Sequence, residues 1–337
     1  MLPPPPRATP WTLLWGALLA RRRRASAGRA RRLPAPVISV GNLQLGGSGK
    51  TPLVAAIAAH LDAGGRRVAV LSRGYGRATR GPRLASRGNG PEASAAEVGD
   101  EPRMLAEALP RVAIVVGEDR FLAGLHAIDA LGAPLDVFVL DDGFSHLGLA
   151  RDLDLLAFPL DHPWGNGRLL PFGSLREPLD AARAAQAAIL TGMTGPLDHA
   201  AQPLKLALAP FGFAGRAFAA GLEATLEPRP ASARVVLATG IAHPERVART
   251  ARALGLQVQE HLAFADHHRF PQRSLDRIER ARKRTGADTV VVTAKDRVKI
   301  EDRLDALAEI RVTAILEPAF WSWLDEALNT SKSAAKS

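Results

Sequence analysis

Short, continuous apolar runs recur between longer helix-forming stretches through most of the chain. Those at 37–40, 68–71, 112–116, 137–140, 153–157 and 187–190 are dominated by Val, Ile, Leu and Ala, without polar alternation. Such runs predict strands buried on both faces. Helix-forming stretches, such as 52–61 and 104–109, lie between them. The alternation predicts an α/β fold, a mainly parallel sheet flanked by helices. Further apolar runs at 235–238, 290–292 and 311–315 predict a second, smaller α/β domain. Between the two sets, glycines and the spaced Phe211, Phe213 and Phe218 suggest a small hairpin or two-stranded connection. The expected organisation is a basic segment over 1–33, a first domain over 34–205, a connecting segment over 206–230 and a smaller domain over 231–330. Residues from 327 onward read as frayed and polar.

The first segment has its own pattern. Prolines at 3–6 and at 10 oppose helix at the start. Residues 11–20 then carry two tryptophans and four leucines, and Arg21, Arg22, Arg23 and Arg24 follow. Ten helical residues rise about 15 Å, half of a hydrocarbon core of ~30 Å, so a span is not expected. The charge follows the apolar stretch, the reverse of a signal peptide. Tryptophan, leucine and arginine in this order suit a helix lying in a membrane interface. The other reading is a helix docked on the protein's own core with a solvated arginine face.

Charge changes the picture only locally. Of the net +10 over 337 residues, +8 comes from eight arginines in residues 1–32, which contain no acid, leaving +2 for the rest. No nucleic-acid partner is expected from so local a field. Aromatic residues are 5% with a single tyrosine, too few for a base-stacking surface. The absence of cysteine excludes disulfides, thiolate zinc sites, iron–sulfur clusters and a cysteine nucleophile.

The strongest local signal follows the first apolar run. Residues 41–51 read Gly-Asn-Leu-Gln-Leu-Gly-Gly-Ser-Gly-Lys-Thr, and a helix-forming stretch follows. Strand, glycine-rich loop and helix together predict a P-loop of the NTPase type. Gly46, Gly47, Ser48 and Gly49 let backbone N–H groups converge on phosphate at a helix N-terminus. Lys50 can reach the β/γ-phosphates, and Thr51 can place its hydroxyl on Mg²⁺. The glycine usual six residues before the lysine is replaced by Gln44, and Leu45 stands where related switch ATPases carry a lysine.

Acids near other strand ends can complete such a site. Asp141 and Asp142 end the run at 137–140, a Walker-B position suited to Mg²⁺; Asp142 can instead be a turn residue beside Gly143. Asp100 and Glu101 precede a helical stretch and can be an N-cap with an acidic first turn, or catalytic. Asp266, His267 and His268 can form a metal site, a proton relay or a solvated loop. Lys295 and Asp296 are adjacent, so the guanine-reading spacing of GTPases fails and GTP is not inferred.

In order along the chain, several motifs resemble the lipid A 4′-kinase (tetraacyldisaccharide 4′-kinase) family. They are Val-Gly-Asn at 40–42, Gly-Ser-Gly-Lys-Thr-Pro at 47–52, Leu-Ser-Arg-Gly-Tyr-Gly at 71–76 and Gly-Asp-Glu-Pro at 99–102. Leu-Asp-Asp-Gly-Phe at 140–144, Gly-Asn-Gly-Arg-Leu-Leu-Pro at 165–171 and Leu-Arg-Glu-Pro at 175–178 follow. Phe-Ala-Asp-His at 264–267 and Thr-Ala-Lys-Asp at 293–296 complete the series. The resemblance covers about residues 36–300. It implies transfer of the ATP γ-phosphate to the 4′-hydroxyl of an acylated glucosamine disaccharide 1-phosphate. The implied place is the cytoplasmic face of the bacterial inner membrane, with peripheral attachment and no obligate protein partner. It places Lys50 and Thr51 on ATP and Mg²⁺, Asp100 as catalytic base assisted by His267, and Asp141, Asp142 and Glu101 around the metal. Arg73, Tyr75, Asn166 and Arg176 fall in stretches linked to the lipid disaccharide, and either arginine can fork onto its 1-phosphate. From the two-unit organisation, the expectation is that the units face each other across a cleft, with Asp100 and His267 supplied from opposite sides and assembled by closure. Ser145, Ala294 and the stretch 239–244 depart from the family pattern. A membrane-attached P-loop ATPase switch controlling a partner protein is the alternative function.

Overall fold

The computed structural model describes residues 2–6, 9–46, 48–300 and 303–334. Gly47, expected in the phosphate loop, lies outside the described residues.

The chain opens with helix α1 (Pro10–Ala27). Thr9 and Thr12 cap it reciprocally, and Pro10 sits in the first turn, where its missing N–H costs nothing. Proline therefore starts this helix, and the four arginines extend it beyond the expected ten residues. Then come β1 (Val37–Gly41), α2 (Lys50–Ala63), β2 (Val68–Ser72), β3 (Arg83–Arg87), α3 (Ala95–Val98), α4 (Asp100–Ala108), β4 (Ala113–Val116), α5 (Arg120–Leu131) and β5 (Val137–Asp141). They are followed by β6 (Leu153–Pro159), β7 (Ala187–Met193), α6 (Gln202–Leu208), β8 (Arg216–Glu227), β9 (Arg234–Thr239), α7 (Pro244–Ala253) and β10 (Gln257–Ala263). The last elements are α8 (Gln272–Thr285), β11 (Thr289–Thr293), α9 (Ala294–Ile300), β12 (Leu307–Leu316) and α10 (Pro318–Ala334).

All described strands join one sheet in the order β10-β9-β11-β12-β8-β7-β6-β1-β5-β2-β4-β3. Every neighbouring pair is parallel except β3–β4 and β8–β12. Strands β1, β2, β4, β5 and β6 are buried throughout, as both-face coverage by helices requires. The connecting stretch forms no hairpin of its own. Its long strand β8 pairs parallel with β7 and antiparallel with β12, and so carries the sheet from one set of strands to the other. The end of the chain is likewise more ordered than its polarity suggests. Helix α10 returns to the first set, where Phe320, Leu324 and Leu328 join the core cluster of Ile38, Leu53 and Val139. Its Trp321 stacks on His60 of α2 at 4.4 Å.

Helix α1 is docked. Trp11 and Trp15, stacked 5.5 Å apart, pack with Leu2 against a cluster that includes Phe158, Trp164, Leu169 and Leu175. Arg23 donates from Nε to Glu177 Oε2 at 2.8 Å and lies 4.1 Å over the Phe144 ring. Ser145, a departure from the family pattern, donates its hydroxyl to the other oxygen of Glu177. Leu14 and Leu18, one turn apart, stay exposed. Among the described residues no helix is long and apolar enough to cross a membrane.

Glu177 is almost fully buried, so removing its cation leaves a charge that water cannot reach. Arg23→Ala is expected to lower stability by about 2–3 kcal/mol in urea titration, with increased tryptophan exposure. Arg21→Ala, at an exposed site, should stay within about 0.5 kcal/mol. Equal effects would show that the Glu177 contact does not hold the helix.

Candidate active site

The phosphate loop leaves the buried end of β1 and enters α2 at Lys50. Gly49, with φ of 77°, makes the left-handed turn into the helix. Thr191 of β7 donates its hydroxyl to the Ser48 carbonyl at 2.9 Å. On the other side the segment 174–176 clasps the loop: Leu45 N–H donates to Ser174 O and Arg176 N–H to Leu43 O, each at 2.7 Å. Gln44 is buried, and its amide donates to His162 O at 3.1 Å. That bond accounts for glutamine where the common loop has glycine.

Lys50 lies at the start of α2 with its ammonium drawn toward the loop. It donates to Asn42 Oδ1 at 3.0 Å and sits 3.7 Å from Asp142 Oδ1. Arg176 donates to the other oxygen of Asp142 at 2.8 Å. Asp142 has left-handed backbone, φ of 54°, which aspartate tolerates better than most residues. Burial works to raise its carboxyl, but Lys50 and Arg176 outweigh that and hold it below the ordinary value. Asp141 is different. Burial first, then the charges of Glu101 and Asp142, push its carboxyl up to about 7, against Lys50 and a hydrogen bond from Ser72 Oγ at 3.2 Å. Thr51 follows Lys50 in the first turn of α2, half-buried.

Arg120 completes this charge balance and was not legible in the sequence. It is buried at the start of α5 and donates to the Gly117 and Glu118 carbonyls at 2.9 and 3.2 Å. Burial pushes it down to about 10, while Asp141 and Asp142 favour its charge and Arg73 opposes it. The only sign was an arginine just after the apolar run at 112–116.

Asp100 is the first residue of α4. Its approach depends on Gly99, whose φ of 96° strains any side chain and where a Cβ would stand a tight 3.0 Å from the Tyr75 carbonyl oxygen. His267 Nδ1 lies 3.1 Å from Asp100 Oδ2, so the two residues are already in contact without further closure. His267 also has left-handed backbone, φ of 58°, fixed by its N–H donating to Gly240 O at 3.1 Å. Gly240 N–H in turn donates to the fully buried Asp296 at 2.9 Å. The neighbouring His268 turns away to Ser274 at 2.9 Å and stacks on Phe264. The two histidines therefore do not converge on one point, and among the described residues no group of three or more His, Cys, Asp or Glu could hold a metal by itself. Tyr75, largely exposed, places its ring 5.2 Å from that of His267. Lys295 lies 3.2 Å from His267 Nε2 and 3.9 Å from Glu101, linking this pair to the acids beside the phosphate loop.

The remaining expected residues are placed unequally. Arg73 is exposed and makes no ion pair among the described residues. Arg176 has its backbone on the phosphate loop and its side chain on Asp142. Asn166 serves its own loop: Oδ1 accepts from Ser174 N–H at 3.0 Å and Arg168 N–H at 3.2 Å.

A model of the family described as Tetraacyldisaccharide-1-P 4′-kinase matches residues 8–329. The chain belongs to this family. Among curated relatives, Tetraacyldisaccharide 4′-kinase of Geobacter sulfurreducens is 41% identical over 319 residues, covering 91% of this chain and 88% of that protein. The protein of the same name from Anaeromyxobacter dehalogenans is 43% identical over 296 residues, covering 85% and 78%. A crystal structure of LpxK from Aquifex aeolicus, an "apo" form in complex with ATP, superimposes with a TM-score of 0.74 at 31% identity. It covers 96% of this chain, and 97% of that chain is matched. The parallel α/β expectation is borne out over this length.

The acids beside the loop fit the Mg²⁺ that a kinase of this family uses with ATP. They are oxygen donors, and Asp141 is raised by burial first and then by the neighbouring carboxylates Glu101 and Asp142. Mg²⁺ in nucleotide sites needs only one or two carboxylates together with phosphate oxygens. The same convergence makes a stability prediction. The folded value of Asp141, about 7, lies above its ordinary 3.8. Its ionisation penalty is therefore absent below about pH 4 and complete above about pH 7. Asp141→Asn should stabilise the metal-free protein at pH 8 by an amount on the order of a few kcal/mol, with little change at pH 4. Unfolding in EDTA at both pH values checks this; no gain at pH 8 would mean that the carboxylate ionises freely.

Proposed function

We propose that this protein transfers the γ-phosphate of ATP to the 4′-hydroxyl of a tetraacylated glucosamine disaccharide 1-phosphate in lipid A biosynthesis, at the cytoplasmic face of the bacterial inner membrane. The observation that carries the reading is the Asp100–His267 contact, joined through Lys295 and Glu101 to a phosphate loop with its lysine and acids. An acid held by a histidine beside the phosphate loop supplies the proton acceptor that transfer to a sugar hydroxyl needs.

The residues then take these roles. The loop backbone at Gly46, Ser48 and Gly49, with Gly47 from the sequence, holds the phosphates, and Lys50 neutralises charge on the transferring group. Thr51, Asp141, Asp142 and Glu101 are the groups that would hold Mg²⁺ and orient its shell, and the ion offsets phosphate charge when bound. Asp100 accepts the proton of the sugar hydroxyl as its oxygen bonds the γ-phosphorus and ADP departs. His267 orients that carboxylate. Tyr75 stands beside the acceptor position. Arg73, exposed and without an ion pair among the described residues, and Arg176, which also holds Asp142, are the guanidinium groups for the 1-phosphate. Asn166 acts by shaping the loop that carries Arg176.

Membrane contact is assigned to α1. Its exposed Leu14 and Leu18 lie beside exposed Arg21, Arg22 and Arg24, an apolar and cationic pairing suited to an anionic leaflet. Leu14→Asp/Leu18→Asp is expected to reduce sedimentation with anionic phospholipid vesicles several-fold while leaving the melting temperature unchanged. Undiminished sedimentation would remove α1 from the contact.

The central test is transfer of labelled γ-phosphate from Mg-ATP to detergent-dispersed tetraacyl disaccharide 1-phosphate. Labelled lipid is expected, with losses of roughly 10²–10⁴-fold in Lys50→Ala and Asp100→Ala. ATP hydrolysis without labelled lipid would overturn the kinase reading in favour of a switch.

A further inference from the structure

The base pair of the proposed reaction is bracketed by two lysines from one helix, and the atoms they touch decide how the pair is protonated. Lys295 Nζ is 3.2 Å from His267 Nε2. An ammonium can only donate, so Nε2 must be the unprotonated acceptor and the ring proton must sit on Nδ1. Nδ1 is the atom 3.1 Å from Asp100 Oδ2. The competing arrangement, with Nε2–H donating to Asp266, is disfavoured by distance, since that carboxylate oxygen is 4.0 Å away. A doubly protonated ring would press an N–H against the ammonium. The lysine is itself held in place by Asp266 Oδ1 at 3.5 Å and Glu101 Oε1 at 3.9 Å.

The second lysine works on the same carboxylate oxygen. Lys299, nearly buried, lies 3.6 Å from Asp100 Oδ2 and 2.8 Å from Asp296 Oδ1. Among the described residues, the side-chain contacts of Asp100 thus converge on Oδ2. Oδ1 is left as the oxygen for an acceptor hydroxyl.

We infer that Lys295 is a positioning residue that sets the tautomer of His267, so that Nδ1–H donates to Asp100 Oδ2 and directs Oδ1 to the substrate. The inference rests on the proposed role of the Asp100–His267 pair, and it assigns Lys295 no contact with the reacting atoms. Its place at the start of α9 is fixed by a reciprocal cap, with Thr293 Oγ1 donating to Asp296 Oδ2 at 2.8 Å and Asp296 N–H donating to Thr293 Oγ1 at 3.1 Å.

The experiment is ¹⁵N NMR of the full-length protein with labelled histidine, His267 being assigned by its loss in His267→Ala. In the unaltered protein Nδ1 is expected protonated and Nε2 not; a protonated Nε2 ends the proposal whatever the variants do. In Lys295→Met an Nε2–H population should appear, with kcat for phosphoryl transfer down roughly 10–100-fold and KM for ATP within about two-fold. Lys295→Arg, which retains a donor, should keep the Nδ1–H tautomer and recover most of kcat. An unchanged tautomer in Lys295→Met, or a rate loss that arginine does not restore, would overturn it. If instead the tautomer responds as stated while His267→Ala retains full turnover, the assignment of the pair to proton transfer fails and the placement of the proton by Lys295 stands.

Discussion

Three carboxylates gather beside the phosphate loop, one of them buried, and much of the surrounding structure is arranged around them. Asp141 and Asp142 are brought there by the buried end of β5, Glu101 by the start of α4. Lys50, Arg176 and Arg120 approach from three other elements. Asp142 is satisfied and stays ionised; Asp141 is not, and is raised to about 7. A fold that sought stability alone would place an amide or an apolar side chain at 141. Retaining the acid makes sense where a divalent cation arrives with polyphosphate, because the cation supplies the positive charge that carboxylates and phosphate both need.

The smaller set of strands brings His267, Lys295 and Lys299 to the site, and one buried acid, Asp296, ties them together. Asp296 holds the Gly240 amide, the Thr293 hydroxyl and the Lys299 ammonium, and Gly240 in turn holds the backbone of His267. The strained turn at His267 is thereby over-determined, as left-handed backbone at a non-glycine residue requires. Of the departures from the family pattern, Ala294 begins α9 and disturbs none of these bonds. Ser145 finds a partner in Glu177, and Thr239 bonds His261 at 2.9 Å.

What was legible in the sequence follows from locality. Buried parallel strands announce themselves as apolar runs, and a phosphate loop is a contiguous motif, so both were found at their positions. Strand β3, with its exposed arginines, and strand β10, mixed polar throughout, carry no such run. Strand β8 belongs to the sheet only through partners on either side, one of them almost a hundred residues away, which composition cannot reveal. The Asp-His-His stretch read equally well as metal site, relay or loop, because the two histidines part company only when Gly240, Ser274 and Asp100 are set around them. Arg120 was not singled out, and Lys295 was noted in its motif without a role, for the same reason: their meaning lies in what they approach.

The hold on α1 has a mechanical side. Glu177, whose carboxylate grips Arg23, also donates its backbone N–H to the Leu43 carbonyl at 3.2 Å, beside the bond from Arg176 to the same oxygen. A helix suited to resting on lipid is therefore tethered, through one residue, to the loop suited to gripping nucleotide. If α1 rests on lipid as proposed, the path from the bilayer surface to the phosphate cradle runs through two hydrogen bonds of one residue, Glu177.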